Sequence, residues 1–293
     1  MIQYLTREKL NIEKYDDCIS NALNTRIYAF SWYLDIVADD WGILVKDDYE
    51  AVMPLPKKRK YFIPYIYLAP WTQQLGIFSS NYIDKTVVFS FIESIPKKFK
   101  LIDVFLNSNN TVNLQKIKLR DNFVLSLDKT YDQLKSHYGK GRKSSCKQAK
   151  LFNLNIIENY DHVKIIELFK ANKGGELNRA NKDYDILNDL MKYAIQYNFV
   201  QIFGVINSNK ELIGGAFFLK DKHRISYLFS AINNEGREKQ AMSLLMDHVI
   251  KTYAASNYIL DFEGSMIKEL ASFFKSFGAQ KEIYFHFKKY QIF

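Results

Sequence analysis

Asp261, Glu263 and Ser265 stand at every second position where the apolar run Tyr258–Phe262 gives out. Two carboxylates and a hydroxyl at the end of a strand could take up and hand on protons, because catalytic groups of open α/β sheets gather at strand ends. The same residues also suit a turn, with Ser265 capping the helix that follows. A second concentration of chemistry is Tyr138–Lys150, which carries Lys140, Arg142, Lys143, Lys147 and Lys150 and no acidic residue. Arg142, Lys143 and Lys147 could meet the phosphates of a nucleic acid or a cofactor, or form a solvated helix face. The five histidines, His137, His162, His223, His248 and His286, lack the spacing of metal ligands, so no metal is expected. Cys18 and Cys146 are far apart and read as free thiols in a reducing cytoplasm. Phosphate-loop, dinucleotide, zinc-protease and nucleophile-elbow motifs are absent.

The elements around these residues form a pattern that occurs twice. Residues 41–71 read as strand, polar turn, strand, the basic turn Lys57–Lys60, and strand. Residues 201–232 repeat that order, with the basic turn at Lys220–Arg224. In each case a helical stretch and a further strand follow, which suggests two like-folded halves around a shared cleft. Helices are expected at 7–24, 84–94, 163–171, 184–198, 238–253 and 267–277. Strands are expected at 99–106, 112–119, 123–127, 153–157, 258–262 and 282–287, with turns at Asn107–Asn110 and Asn233–Gly236. The boundary between halves is placed near residue 130, giving 1–130 and 131–293.

Composition bounds the function classes. The chain has 293 residues, 47% of them hydrophobic and 25% charged, as in a water-soluble globular protein with a substantial core. Aromatics make up 15%, which fits an AT-rich coding sequence or an aromatic-lined cleft. The net charge of +9 favours polyanionic partners: nucleic acid, a phosphate-bearing donor or an anionic membrane surface. No window approaches about 18 consecutive apolar residues, so no membrane span is expected. The first residues lack the pattern of a secretory leader, and a cytoplasmic location is expected.

The order of elements in the second half resembles the GNAT acyltransferase fold, closest to the two-lobed Fem-type family of peptidoglycan-bridge aminoacyl transferases and related acetyltransferase-like proteins of bacteria. Three pieces carry the resemblance: the basic segment Tyr138–Lys150, the strand Leu212–Leu219, and Ile259–Ser265 followed by Phe273–Ala279. Pro70–Gly76 of the first half is also similar. The resemblance implies an α/β fold with mixed sheets, two tandem GNAT-like lobes, and transfer of an acyl group from an acyl-CoA-type donor to an amine by direct attack. It leaves open a tRNA-borne aminoacyl donor and a non-catalytic binding module.

In such folds the helix after the central strand offers its N-terminal amides to a pyrophosphate. The matching stretch here holds Gly236, Arg237, Lys239, Gln240 and Ala241, flanked by Glu235 and Glu238. Lys275 stands where the family places a lysine, to meet the donor's phosphate or carbonyl. Tyr227 could act as general acid to a leaving thiolate, or be core. Asp261 and Glu263 are the acid/base candidates. Trp71, Gln73 and Gln74, with Ser265 and Arg142, are the candidates for binding substrate. The first half has no basic glycine loop after its third strand, which implies that the donor belongs to the second half. The acceptor amine, the acyl group and the oligomeric state are not set by the sequence.

Overall fold

A computed structural model describes residues 1–112, 117–173, 180–264 and 266–291. Ser265 therefore lies outside the described residues. The chain divides into two compact units: residues 1–121 with 282–293, and residues 122–281.

Unit 1 begins with β1 (Ile2–Thr6), α1 (Ile12–Asn21), α2 (Ser31–Val37), β2 (Asp40–Lys46), β3 (Ala51–Lys60), β4 (Ile63–Ile66), β5 (Phe78–Ser79), α3 (Lys85–Glu93) and β6 (Leu101–Leu106). Local signals set the helix starts. Asn11 Oδ1 accepts the Lys14 amide at 3.0 Å, and Asp84 Oδ1 accepts those of Thr86 and Val87 at 2.8 and 2.9 Å. Strands β1, β2, β3 and β4 are neighbours and antiparallel, and β4 runs parallel to β6, with Tyr65 opposite Leu101 and Ile66 opposite Ile102. Tyr15, Tyr28, Tyr33 and Trp41 are fully buried, as is the α3 face made by Val88, Phe91 and Ile92.

Strand β7 (Ile117–Ser126) carries the chain across the division at residue 121, and unit 2 follows with α4 (Tyr131–Ser136), α5 (Lys140–Ala149), β8 (Asn155–Glu158), α6 (His162–Lys173), α7 (Asn181–Gln196), β9 (Val200–Ile206), β10 (Leu212–Lys220), β11 (Arg224–Ile232), α8 (Asn234–Glu238), α9 (Ala241–Tyr253), β12 (Ile259–Asp261) and α10 (Lys268–Lys275). Its sheet runs β7, β12, β11, β10, β9, β8; β11 and β12 are parallel and the other pairs antiparallel. Strand β10 is buried along Ile213–Leu219 because helices cover both of its faces. Adjacent glycines make this approach close. A Cβ on Gly215 would stand 2.8 Å from Ile165 of α6, and one on Gly214 would stand 3.5 Å from Ala241 of α9. The chain ends in β13 (Gln280–Tyr290), whose residues from Phe285 to Tyr290 pair antiparallel with Leu106 to Leu101 of β6.

The expected α/β class with mixed sheets is what the molecule shows, and so is the doubled pattern. Each unit has an antiparallel three-strand meander whose third strand then pairs parallel with the strand after the next helix. Three local expectations differ. Lys57–Lys60 are strand residues, and the turn falls at Tyr61–Phe62. The expected 123–127 strand is part of the longer β7, whose beginning also covers the end of the expected 112–119 strand. The expected 238–253 helix breaks at Gln240, whose φ is +60°, and Asn233 starts a separate short helix by accepting the Gly236 amide at 2.8 Å.

In unit 1 the parallel pairing of β4 with β6 stops after Ile66, and the chain itself takes the vacated edge. The Leu75 amide donates to Phe105 O at 2.8 Å, and the Asn107 amide to Leu75 O at 3.0 Å. The buried side chain of Asn110 holds the same segment by gripping the Ile77 amide at 2.7 Å and its carbonyl at 2.9 Å. Asn110→Ala would strand the Ile77 amide in the core, while the carbonyl keeps the Asn24 Nδ2 donor at 2.8 Å. We expect a loss of about 1–3 kcal/mol, read by chemical denaturation.

Candidate functional site

The open edge in unit 2 is where the parallel pair β11 and β12 parts. Pairing covers Arg224 to Ser226 against Ile259 to Asp261, and there β12 ends while β11 continues to Ile232. Strand β12 does not continue beside Tyr227–Ile232. On its other edge β11 pairs with β10, but Phe217 faces Phe229 and Phe218 faces Tyr227, so Leu228 is an extra, bulged residue. A bulge beside a parted strand pair re-aims side chains and leaves backbone donors and acceptors for a ligand.

One network fixes the place where the strands part. Asp261 Oδ2 accepts from Arg224 Nη1 at 2.6 Å. Its Oδ1 accepts from Asn122 Nδ2 at 2.9 Å and from the Glu263 amide at 3.0 Å. Asn122 Oδ1 in turn accepts the Gly264 amide at 2.6 Å. Asp261 and Arg224 are only 1% and 6% exposed, so each ion depends on the other for its solvation. With both carboxylate oxygens occupied, the geometry of Asp261 is that of a pin for the strand end. Glu263, the next carboxylate, is partly exposed and has a left-handed φ of +50°.

The end of α9 lies beside β10. Lys239 is held by Glu235 at 2.7 Å, and Arg237 by Asn234 Oδ1 at 2.7 Å. The Lys239 ammonium keeps Glu235 below the usual carboxylate range. Gly236 cannot carry a side chain, since a Cβ would stand 2.2 Å from Ile213 O. Gln240 takes the left-handed position before the helix, and Ala241 is buried at its first turn. Arg142 of α5 reaches this end: it donates to Ser243 Oγ and, at 2.9 Å, to Ser276 Oγ. Its guanidinium lies 4.3 and 4.7 Å from the ring centres of Phe273 and Phe277. No carboxylate among the described residues pairs with it. Burial lowers its pKa, so an anion at this helix end would recover lost solvation.

Lys275 is exposed, with its ammonium 5.2 Å from the Phe123 ring, and the Phe123 carbonyl accepts the Phe262 amide just past β12. Tyr227 stacks near Phe218 and Phe274; burial pushes its pKa up to about 12, with the Ser230 hydroxyl opposing. Asp261, Glu263, Tyr227 and Lys275 thus gather around the parting strands, while Gly236, Arg237, Lys239, Gln240, Ala241 and Arg142 gather at the α9 end. Asn122, Ser243 and Ser276 are added by the structure; isolated polar residues carry no periodic signal. In the sequence Arg224 stands only as the last residue of the basic turn Lys220–Arg224.

In unit 1, Trp71, Gln73 and Gln74 share one buried-edge segment. Trp71 has a φ of +56°, and its carbonyl accepts from the Tyr33 hydroxyl. Gln74 is fully buried, donates to Gln73 Oε1 at 2.6 Å, and leaves its own Oε1 without a partner.

Neither cysteine is placed to form a covalent intermediate. Burial raises the thiols of Cys18 and Cys146 to about 11, so both stay protonated near neutrality. Both should react with a thiol reagent only as fast as the protein unfolds. Arg224→Met, which leaves Asp261 charged and buried, should lower stability by about 3–5 kcal/mol in denaturant melts.

No protein-family model matches the chain, and no curated protein does. Solved structures do. FemX superposes with a TM-score of 0.67 at 12% identity, over 97% of this chain and 96% of its own. A conserved protein of unknown function from Bacteroides thetaiotaomicron gives 0.63 at 10%, over 99% and 100%. The C-terminal domain of a protein provisionally named lysylphosphatidylglycerol synthetase, from Agrobacterium fabrum, gives 0.59 at 8%, over 94% and 91%. Among the described residues no helix is long and apolar enough to cross a membrane, and no group of three or more His, Cys, Asp or Glu could hold a metal ion. At these identities the likeness is one of fold: the chain has the fold of FemX.

Proposed function

We propose that unit 2 transfers an acyl group from an acyl-CoA-type donor to an amine. The observation that carries this reading is the open edge of β11 beside the end of β12, with its bulge at Leu228. An extended pantetheine arm could pair with that edge as a strand would. The donor's phosphates would lie at the first turn of α9, near the Ala241 and Met242 amides, with Arg142 supplying the charge. The fit is incomplete in one respect. Gln240 stands in the left-handed position that a glycine loop would fill, and Lys239 is already paired with Glu235.

In the reaction, the amine nitrogen attacks the donor carbonyl, a C–N bond forms, and the C–S bond breaks with the electron pair leaving on sulfur. Glu263, near the parting point and less buried than Asp261, would take the amine proton; Asp261 would act by holding the turn that carries it. A phenol at about 12 does not surrender its proton readily to a thiolate whose conjugate acid lies near about 8.5. Tyr227 would therefore stabilise the departing sulfur as a hydrogen-bond donor. Lys275 would offer its charge to the developing oxyanion.

One observation favours a second donor class. Lys140, Lys143, Lys147 and Lys150 recur at helical spacing along α5 and onward, and Lys143 and Lys147 line an open basic groove with Lys135 of α4. A row of cations suits a tRNA backbone, and with it an aminoacyl-tRNA donor.

Thermal unfolding with acetyl-CoA, longer acyl-CoAs and aminoacyl-tRNA separates the readings. Stabilisation by a CoA ester of about 2.7 kcal/mol at a hundredfold excess over Kd is expected. In turnover with that ester and a panel of amines, Glu263→Gln should lower kcat about 10²- to 10⁴-fold while donor binding persists. Stabilisation by aminoacyl-tRNA alone would replace the donor. No binding of either would sink the enzyme reading and leave a binding module of the same fold.

A further inference from the structure

We propose that the β3–β4 hairpin of unit 1 is an anchor for an anionic lipid surface, inserting Tyr61, Phe62 and Ile63 among the headgroups while the adjoining cations meet lipid phosphates. The tip is apolar and open to solvent: Tyr61 is 84% exposed, Phe62 95% and Ile63 50%. The hairpin has a two-residue loop, with Lys60 opposite Ile63, and both loop residues have positive φ, +49° at Tyr61 and +65° at Phe62. Such a loop favours Asn-Gly, which adopts these angles without the Cβ penalty that two aromatics incur. The tip is thus strained and exposed at once, and nothing it packs against inside unit 1 repays either cost.

The stem is built to project. On one side β2 accompanies β3 only as far as Lys57, and on the other β6 joins β4 only from Tyr65. The residues beyond form a free two-stranded ribbon of about 10 Å at the usual rise. Cations flank it. Arg59 and Lys60 are exposed next to the tip, with the Lys60 ammonium 5.7 Å from the Tyr61 ring, and Lys58 lies 4.2 Å over Tyr67. The Lys97–Lys100 turn lies alongside, since the Lys100 amide donates to Pro64 O at 3.0 Å. An apolar tip with lysines and arginine set back along the stem matches the layering of a bilayer interface, hydrocarbon below and phosphate above. A single-stranded nucleic acid would want a concave or flat platform for base stacking, and an aliphatic Ile63 on a convex tip does not supply one.

The test is co-sedimentation of the full chain with vesicles of phosphatidylcholine alone and of phosphatidylcholine with phosphatidylglycerol. The expected result is binding to the anionic vesicles that weakens with salt and falls sharply on the neutral ones. Tyr61→Asn with Phe62→Gly installs the loop sequence the hairpin prefers. This variant should melt no lower than the parent, yet lose at least about tenfold in vesicle partition. Arg59→Gln and Lys60→Gln should each lose about fivefold on anionic vesicles only. The proposal is overturned if the parent protein stays in the supernatant with anionic vesicles, or if the Asn-Gly variant binds them as well as the parent. Salt-sensitive binding of RNA that the Asn-Gly variant loses, without vesicle binding by the parent, would assign the tip to nucleic acid and overturn it equally.

Discussion

Everything proposed for unit 2 depends on two parallel strands ceasing to pair after three residues. A strand edge that loses its neighbour inside a protein is costly, because each backbone amide and carbonyl on it needs a partner. The Asp261–Arg224 ion pair makes the loss abrupt rather than gradual. Its carboxylate sits at the last paired position and its guanidinium at the first, and the carboxylate spends its remaining hydrogen bonds on the turn at Glu263 and, through Asn122, on Gly264. A buried ion pair adds little net stability compared with an apolar pair, but it has sharp geometric requirements. Its use here is positional: it sets where β12 stops and how the next carboxylate leaves the sheet.

Unit 1 faces the same problem and solves it internally. Its parallel pair also separates early, after Ile66 and Ile102, but Leu75 enters the gap and hydrogen-bonds to Phe105 and Asn107. The similar geometry of the two meanders therefore hides a difference, for in unit 1 the chain's own Leu75–Ile77 segment occupies the edge where the parallel pair separates. Holding Leu75–Ile77 there requires polar side chains in the core, Asn107 and Asn110, which serve as substitutes for the missing strand. This is a physical reason for two like-folded halves to differ in ligand binding.

Much of this was legible in the sequence because it rests on periodicity. The doubled meander, the capped helix at Asp84 and the apolar stripe of α7 follow from alternation and 3.6-residue spacing. What was not legible rests on single contacts at long sequence separation. Arg224 looks like part of a basic turn until Asp261, distant in sequence, is seen beside it. The break at Gln240 has no glycine to announce it. Lys57–Lys60 looked like a turn because four cations in a row are hydrophilic, whereas in fact they continue a strand, and the two aromatics after them make the turn. That displacement of a few residues is what concealed the exposed tip.

The charge of +9 separates into groups with different surroundings, and those surroundings carry more information than the total. Along α5 the cations stand on a polar helix, KGRKSSCKQA, with no large apolar side chain among them. A surface of that kind gains free energy by releasing counterions from a polyanion and has nothing to insert into a bilayer. On the β3–β4 hairpin the run of cations Lys57–Lys60 ends in large exposed side chains. Charge there can only supplement apolar contact, and the pairing of the two is selective for a surface that is anionic outside and apolar within. Arg142 belongs to neither group. Half-buried against two phenylalanine rings and held by two serine hydroxyls, it is desolvated enough that a single bound anion would matter to it more than to any lysine on the surface.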